Sequence, residues 1–326
     1  HPRRRRLAHR MTAAPPPAQE GVLIGLSAVV MALNEGEAAA LLIHGEGGEA
    51  PALPFGPFDP AAHRTFELAL RDFVDAQTGL PLGYVEQLYT FGDAGRDLPR
   101  AEMGAGARRV VSIGYLALAR RAEAPERPDA RWTRLTDCFP WEDWRRGRPV
   151  LIDDRIAPAL RAWAGGDTTA RARVDALFAL SGLRWNEERV LDRYELLYEA
   201  GLVHEAARDH ARPAAEVLPG LALASDHRRI LATGLGRLRA KLKYRPVLFD
   251  LMGDFFTLSE LQRAAEAVAG LKLHKQNFRR GVERAGMVEP TGTMSNATRG
   301  RPAELFRQTG ADAVGHAPGL SLPAAR

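Results

Sequence analysis

A single cysteine, Cys138, occurs in 326 residues, so no internal disulfide framework can form and the chain fits a reducing compartment. No cysteine-based metal cluster can be built from it either. The apolar run at residues 22–33 is too short to span a bilayer. Five arginines in the first ten residues precede it, a superficial likeness to a signal peptide. Pro15, Pro16, Pro17 and Glu20 separate that charge from the apolar run, which continues into residues 38–44 as a strand pair would. There is no internal repeat and no low-complexity tract apart from Ala/Pro-rich tails. These absences predict a cytoplasmic protein without a membrane partner. The chain begins with histidine, and Met11 is read as the natural start.

With 45% hydrophobic residues the chain can bury at least one sizeable core, and its length makes two cores and two domains the prior. The formal charge of +5 is unevenly spread. Residues 226–307 carry 16 basic and 8 acidic side chains, whereas the chain outside that stretch and the first ten residues is net −8. This asymmetry predicts a polyanionic partner for the C-terminal part.

The C-terminal stretch reads as a winged helix-turn-helix. Thr257 and Glu260 have the spacing of a capping box, and Leu258, Leu261, Ala265 and Val268 recur at helical spacing up to Gly270. In the next helix Phe278, Val282 and Ala285 form an inward stripe. Lys275, Gln276, Arg279 and Arg280 share its outward face, and Gln276, Asn277 and Arg279 near its start are the candidates to reach base edges in a major groove. Gly286 ends it. Residues 287–291 and 303–307 read as two strands, and the loop between them carries Arg299 and Arg301, placed as a wing for phosphates or a minor groove. The bland reading of the second helix is a solvated basic face.

Toward the N-terminus, residues 21–31 and 38–44 are buried-strand candidates joined by an Asn34-Glu35-Gly36 turn. Residues 63–77 suit a helix with Phe66, Leu70, Phe73 and Val74 inward and Gly79 as its stop. Residues 84–91 and 109–118 read as strands, and strands mixed with a helix indicate an α/β sandwich.

Both stretches resemble one family. The order strand, helix, Tyr84 to Asp93, then Arg109 to Leu118, and the C-terminal segments Leu242 to Phe249, Phe256 to Gln262, Asn277 to Arg280 and Gly300 to Leu305, resemble the Nudix-related transcriptional regulators of NAD metabolism. These are the NrtR type, with the alphaproteobacterial NadQ type most similar. The resemblance covers roughly residues 20–120 and 226–307. It implies an α+β chain: a Nudix-like α/β/α sandwich with a helical insertion, followed by the winged helix. The domains are then a basic, Pro-rich tail (1–19), the nucleotide-sensing domain (20–157), the insertion and linker (158–225), the linker helix with the DNA-binding domain (226–310) and a second tail (311–326). It further implies a repressor of NAD biosynthesis genes that binds double-stranded operator DNA and an adenine nucleotide effector (NAD, ADP-ribose or ATP), with no required cofactor. On the sensing domain, Arg64, Arg71, Glu86, Tyr89 and Phe91 are the candidate nucleotide contacts. Tyr89 and Phe91 are expected on one face of their strand.

A catalytic Nudix helix carries clustered glutamates that hold Mg²⁺ at a pyrophosphate. Counting back from Gly79, its two metal-binding glutamate positions are Ala76 and Gln77, and its Arg-Glu pair is Asp72-Phe73. The expectation is a non-enzyme that keeps the fold as a sensor; the alternative is an active pyrophosphohydrolase of ADP-ribose or NAD with an accessory nucleic-acid-binding domain.

Between the two stretches, residues 174–183 and 187–200 read as amphipathic helices of the insertion, and the Trp141-Glu142-Asp143-Trp144 cluster as packing. Leu231, Leu235, Leu238 and Leu242 form one helical stripe that must be buried, either on its own chain or, as favoured, against its twin in a homodimer. The arginines around that stripe would then flank the DNA backbone.

Overall fold

The computed structural model of the protein describes residues 22–93, 109–120, 125–210, 217–243, 247–295 and 302–309. Both expected tails lie outside them, as do Arg299 and Arg301. In chain order the first domain contains β1 (Val22–Asn34), β2 (Glu37–Ile43), β3 (Phe55–Pro57), α1 (Phe66–Thr78), β4 (Tyr84–Phe91), β5 (Arg109–Leu118) and β6 (Ala130–Arg134).

The sheet runs β4-β5-β1-β2-β6, with β3 also paired to β1. β1 and β5 are parallel and the other pairs antiparallel. The β1–β2 turn places Glu35 and Gly36 at φ 52° and 82°, positive values that suit the twist of a two-residue hairpin. Residues 26 to 32 of β1 are at most 2% exposed, because α1 covers one face of the sheet and helices of the C-terminal half cover the other. A strand covered on both faces needs an apolar run rather than alternation, as this one has. The Thr65 hydroxyl accepts from the Leu68 amide and Gly79 adopts the left-handed conformation, so α1 starts three residues later than its apolar pattern suggests and stops where expected.

The middle of the chain is helical: α2 (Leu135–Cys138), α3 (Ala157–Ala164), α4 (Thr168–Leu177), α5 (Val190–Glu199) and α6 (His204–Asp209). A π-helical stretch, Ile152–Ile156, leads into α3. The helix expected over residues 174–183 instead occupies α4. Asp167 caps it by accepting from Thr169 and Ala170, and Ala179, Ser181 and Gly182 with positive φ turn the chain afterwards. Cys138 is buried, and burial pushes its thiol up to about 12, which leaves it unreactive.

Next comes α7 (His227–Lys241), the long helix whose leucines form the stripe. Leu231, Leu235, Leu238 and Leu242 are at most 1% exposed within their own chain. α7 packs on β1, β4, β5, α5 and the first winged-helix element. The structure therefore corrects the expectation that the stripe meets a twin. Gly234 lets the helix close on the sheet, since a Cβ there would sit 2.8 Å from Val29 Cγ1.

The C-terminal domain contains α8 (Leu258–Ala269), α9 (Lys275–Arg284), β7 (Val288–Met294) and β8 (Glu304–Gln308). The Thr257–Glu260 capping box is formed in both directions, and Gly270 ends α8 with φ 67°. β7 and β8 pair as a hairpin, and Phe256 exchanges two backbone hydrogen bonds with Phe306. The chain is thus a Nudix-like α/β/α sandwich with inserted helices, followed by a winged helix-turn-helix. No helix among the described residues is long and apolar enough to cross a membrane.

Candidate nucleic-acid interface and ligand positions

On α9, Phe278 and Val282 are buried and Lys275 is exposed, and Gln276, Asn277 and Arg280 are exposed on the side opposite the buried pair. The Arg280 guanidinium donates to Asn277 Oδ1 at 2.9 Å, so these two side chains present a joined polar edge. Arg279 behaves differently: it leans back to Ser259 Oγ at 3.4 Å, and its Nε is buried with no partner among the described residues. In this conformation it braces the start of α8 and does not extend from the ridge. The wing strands are in place, while Arg299 and Arg301 fall outside the described residues.

The helix-turn-helix corner is held by side chains of α8. Glu266 Oε1 accepts from the Leu273 amide at 2.9 Å and from Gln262 Nε2 at 3.1 Å, and Gln262 Nε2 also reaches the Leu273 carbonyl at 3.1 Å. Lys272 Nζ pairs with Glu266 Oε2 at 3.0 Å from a side chain 64% exposed, where solvent screens it. Burial pushes the Glu266 carboxyl up, but the Leu273 amide, Lys272 and Gln262 outweigh it and hold it below its ordinary value.

Several cations counted toward the C-terminal excess do not face outward. Arg228, Arg239 and Lys241 have side chains 1%, 3% and 8% exposed and are paired to Glu205, Glu142 and Glu86. Arg229 is joined to Asp93, Asp226 and Glu195. These residues fasten α7 to its surroundings, which corrects the reading of the stripe's arginines as flanking a DNA backbone.

Glu142 is the centre of another such junction. Its carboxylate meets Arg193 of α5 at 2.6 and 2.9 Å and Arg239 of α7 at 2.6 Å. Arg239 also donates to the Val268 carbonyl near the end of α8, at 2.9 Å. A Cβ on Gly270 would fall 2.3 Å from the Glu142 carbonyl oxygen, so the end of α8 sits directly on this centre. Burial pushes the carboxyl up, and the Arg193 and Arg239 charges and hydrogen bonds outweigh it and hold it below its ordinary value. The Trp141-Glu142-Asp143-Trp144 cluster is packing, as its composition suggests, but its carboxylate joins three segments, which no local pattern signals.

The five nucleotide candidates do not converge on one pocket among the described residues. Glu86 faces α7: it accepts from the Tyr84 hydroxyl at 2.5 Å and pairs with Lys241 at 2.8 Å and Arg237 at 3.4 Å. Burial pushes its carboxyl up, but the Lys241 and Tyr84 hydrogen bonds hold it below its ordinary value. Phe91 is 4% exposed beneath the Arg229 guanidinium, whereas Tyr89 is 62% exposed. A register shift between Gln87 and Thr90 breaks the alternation, so Tyr89 and Phe91 differ in burial although their rings touch edge to face at 5.4 Å. Arg71 pairs with Glu67 and donates to the Leu82 and Gly83 carbonyls, bracing the loop after α1. Arg64 is exposed in the bend before α1, not on the helix.

At the positions aligned with Nudix glutamates, Ala76 is exposed, and Gln77 donates to the Phe55 carbonyl at 2.6 Å while accepting from the Phe55 amide at 3.2 Å. A carboxylate could make only the second bond. Sequence reasoning also missed a cavity of about 410 Å³ at the seam of the two domains, where Leu82, Tyr84, Leu118 and Trp132 meet Arg120 and Asp250. Arg120 is already paired with Asp254 at 2.8 Å.

Fold and site together define a two-domain protein, a Nudix-like domain joined to a winged helix of the DNA-binding kind. Residues 248–308 match the family model of the NrtR DNA-binding winged helix domain. The ADPR responsive transcriptional repressor NtrR of Acinetobacter baylyi is 40% identical over 87 residues, 27% of this chain and 34% of that protein. The match therefore spans about a third of that relative's length. Shewanella oneidensis NrtR in complex with a 27mer DNA shares the fold, with a TM-score of 0.53 at 20% identity over 90% of this chain and 96% of that one. A MutT/nudix family protein from Enterococcus faecalis does so with a TM-score of 0.52 at 16% identity, covering 90% of each chain.

Proposed function

We propose that the protein is a transcriptional repressor that holds operator DNA through α9 and the wing and answers an adenine nucleotide through its Nudix-like domain. The match of residues 248–308 to the NrtR winged helix, on which Lys275, Gln276, Asn277 and Arg280 stand exposed, carries this reading. ADP-ribose is the first candidate effector, because the Acinetobacter relative is named as responsive to it. NAD biosynthesis genes as targets, the NadQ type and a cytoplasmic homodimer belong to the same proposal. Two copies would bring two α9 helices to successive major grooves through an interface other than the leucine stripe.

The test is titration of a duplex selected from a random library, and of its scrambled counterpart, at several salt concentrations with and without ADP-ribose. Asn277→Ala is expected to remove about 1–3 kcal/mol of discrimination, as a lost base contact does. Arg299→Ala or Arg301→Ala is expected to weaken both duplexes and reduce the salt slope by about one unit. ADP-ribose is expected to change operator affinity by roughly 5- to 150-fold, the usual span of a coupling free energy. Equal affinity for both duplexes sinks the operator reading, and indifference to the nucleotide sinks the effector reading.

The same preparation with Mg²⁺ or Mn²⁺ is expected to leave ADP-ribose and NAD intact. Ala76 brings no oxygen ligand, and the Gln77 amide is committed to Phe55. Product formation above about 1 per second, an ordinary enzymatic rate, would restore the hydrolase reading.

A further inference from the structure

The first turn of α9 is not set by its own residues alone. His274, at the N-cap position, makes no side-chain cap bond, and the ten-residue helix contains Gly281. A helix of that length and composition is marginal without outside support. Phe278, which closes the first turn, and Val282 anchor the helix on its buried side, and the turn that carries Lys275, Gln276 and Asn277 joins the rest of the chain through Leu273. The Leu273 amide is bound by Glu266 and its carbonyl by Gln262, both buried side chains of α8.

We propose that Glu266 and Gln262 are positioning residues for sequence discrimination: by gripping both backbone polar groups of Leu273 from α8, they aim the base-reading turn of α9. Bidentate base contacts tolerate little displacement, whereas contacts to phosphate through long cationic side chains tolerate more. Loosening Leu273 therefore costs preference for the cognate sequence more than it costs attachment to DNA. The inference rests on the DNA-binding reading above.

In the full-length protein, Glu266→Ala is expected to lower the ratio of cognate to scrambled affinity by about tenfold, the equivalent of one 1.4 kcal/mol contact, with the salt slope unchanged because no phosphate contact is removed. Glu266→Gln keeps an oxygen for the Leu273 amide and is expected to restore the ratio to within about twofold of wild type, since an amide oxygen retains two acceptor sites. A merely structural role would lower both affinities together through the folded fraction, and that result, or an unchanged ratio, overturns the proposal. Should Glu266→Ala fail to fold, Gln262→Leu frees only the Leu273 carbonyl and its own link to Glu266 and is read the same way. Amide hydrogen exchange at residues 273–277 separates the two possible failures. Faster exchange there in Glu266→Ala, in a protein whose wild type prefers no duplex, shows that Glu266 holds the turn but overturns the operator reading and with it the role in discrimination. Unchanged exchange overturns the positioning role.

Discussion

Glu142→Ala is expected to cost about 3–5 kcal/mol of stability, the range found when one partner of a buried ion pair is removed. The Arg193 and Arg239 side chains would remain 0% and 3% exposed with their shared counter-ion gone. Arginine cannot escape by losing its proton. Backbone acceptors remain for both, Asn186 and Leu177 for Arg193 and Glu187 and Val268 for Arg239, but none carries charge. Denaturant unfolding at neutral pH measures the difference, and a loss below about 1 kcal/mol, the worth of a surface pair, would show that solvent reaches the junction. The wild type should also lose this contribution in acid. Glu142 is held below its ordinary value of 4.5, so its stabilisation is complete above that value and disappears as pH falls through the lower native one. Glu142→Ala removes that part of the acid sensitivity.

The second large effect concerns α7. Leu235→Ala is expected to cost about 2–5 kcal/mol, the range for a core leucine, and to leave the sedimentation coefficient of the folded fraction unchanged. Leu235 is 1% exposed between its own sheet and helices, so truncation opens a cavity and exposes no partner surface. Leu235→Glu should be worse, since it buries an unpaired carboxylate. A folded Leu235→Ala protein that changes from dimer to monomer would return the stripe to an intermolecular role.

Both predictions come from parts of the chain that its sequence left open, and the division has a physical basis. Thr257 with Glu260, Gly270, Gly79 and the Glu35-Gly36 turn were legible because capping, helix termination and tight turns are settled among residues a few positions apart. The strand boundaries at Tyr84–Phe91 and Arg109–Leu118 follow from runs of apolar and aromatic side chains, again a local matter. The outward face of α9 was legible in part: Gln276 and Arg280 point away from Phe278 and Val282 as one turn of helix requires, while Arg279, expected on the same face, leans back to Ser259. The Asp167 cap was legible too, and its omission displaced α4 by six residues.

What only the tertiary structure decided is where each pattern finds its partner. A leucine stripe demands burial but does not name the surface that buries it, and here the surface is built from strands β1, β4 and β5 together with α5 and α8. Arginines on α7 count as positive charge in any composition. Whether they face DNA or a buried carboxylate depends on Glu142, 97 positions away from Arg239, and on Glu205, 23 positions away from Arg228. The register shift in β4 separates the burial of Tyr89 from that of Phe91 because neighbouring strands, and not the strand's own alternation, set the pairing. Local chemistry is fixed by neighbours along the chain, whereas burial and ion pairing are fixed by neighbours in space, which the folded backbone alone supplies.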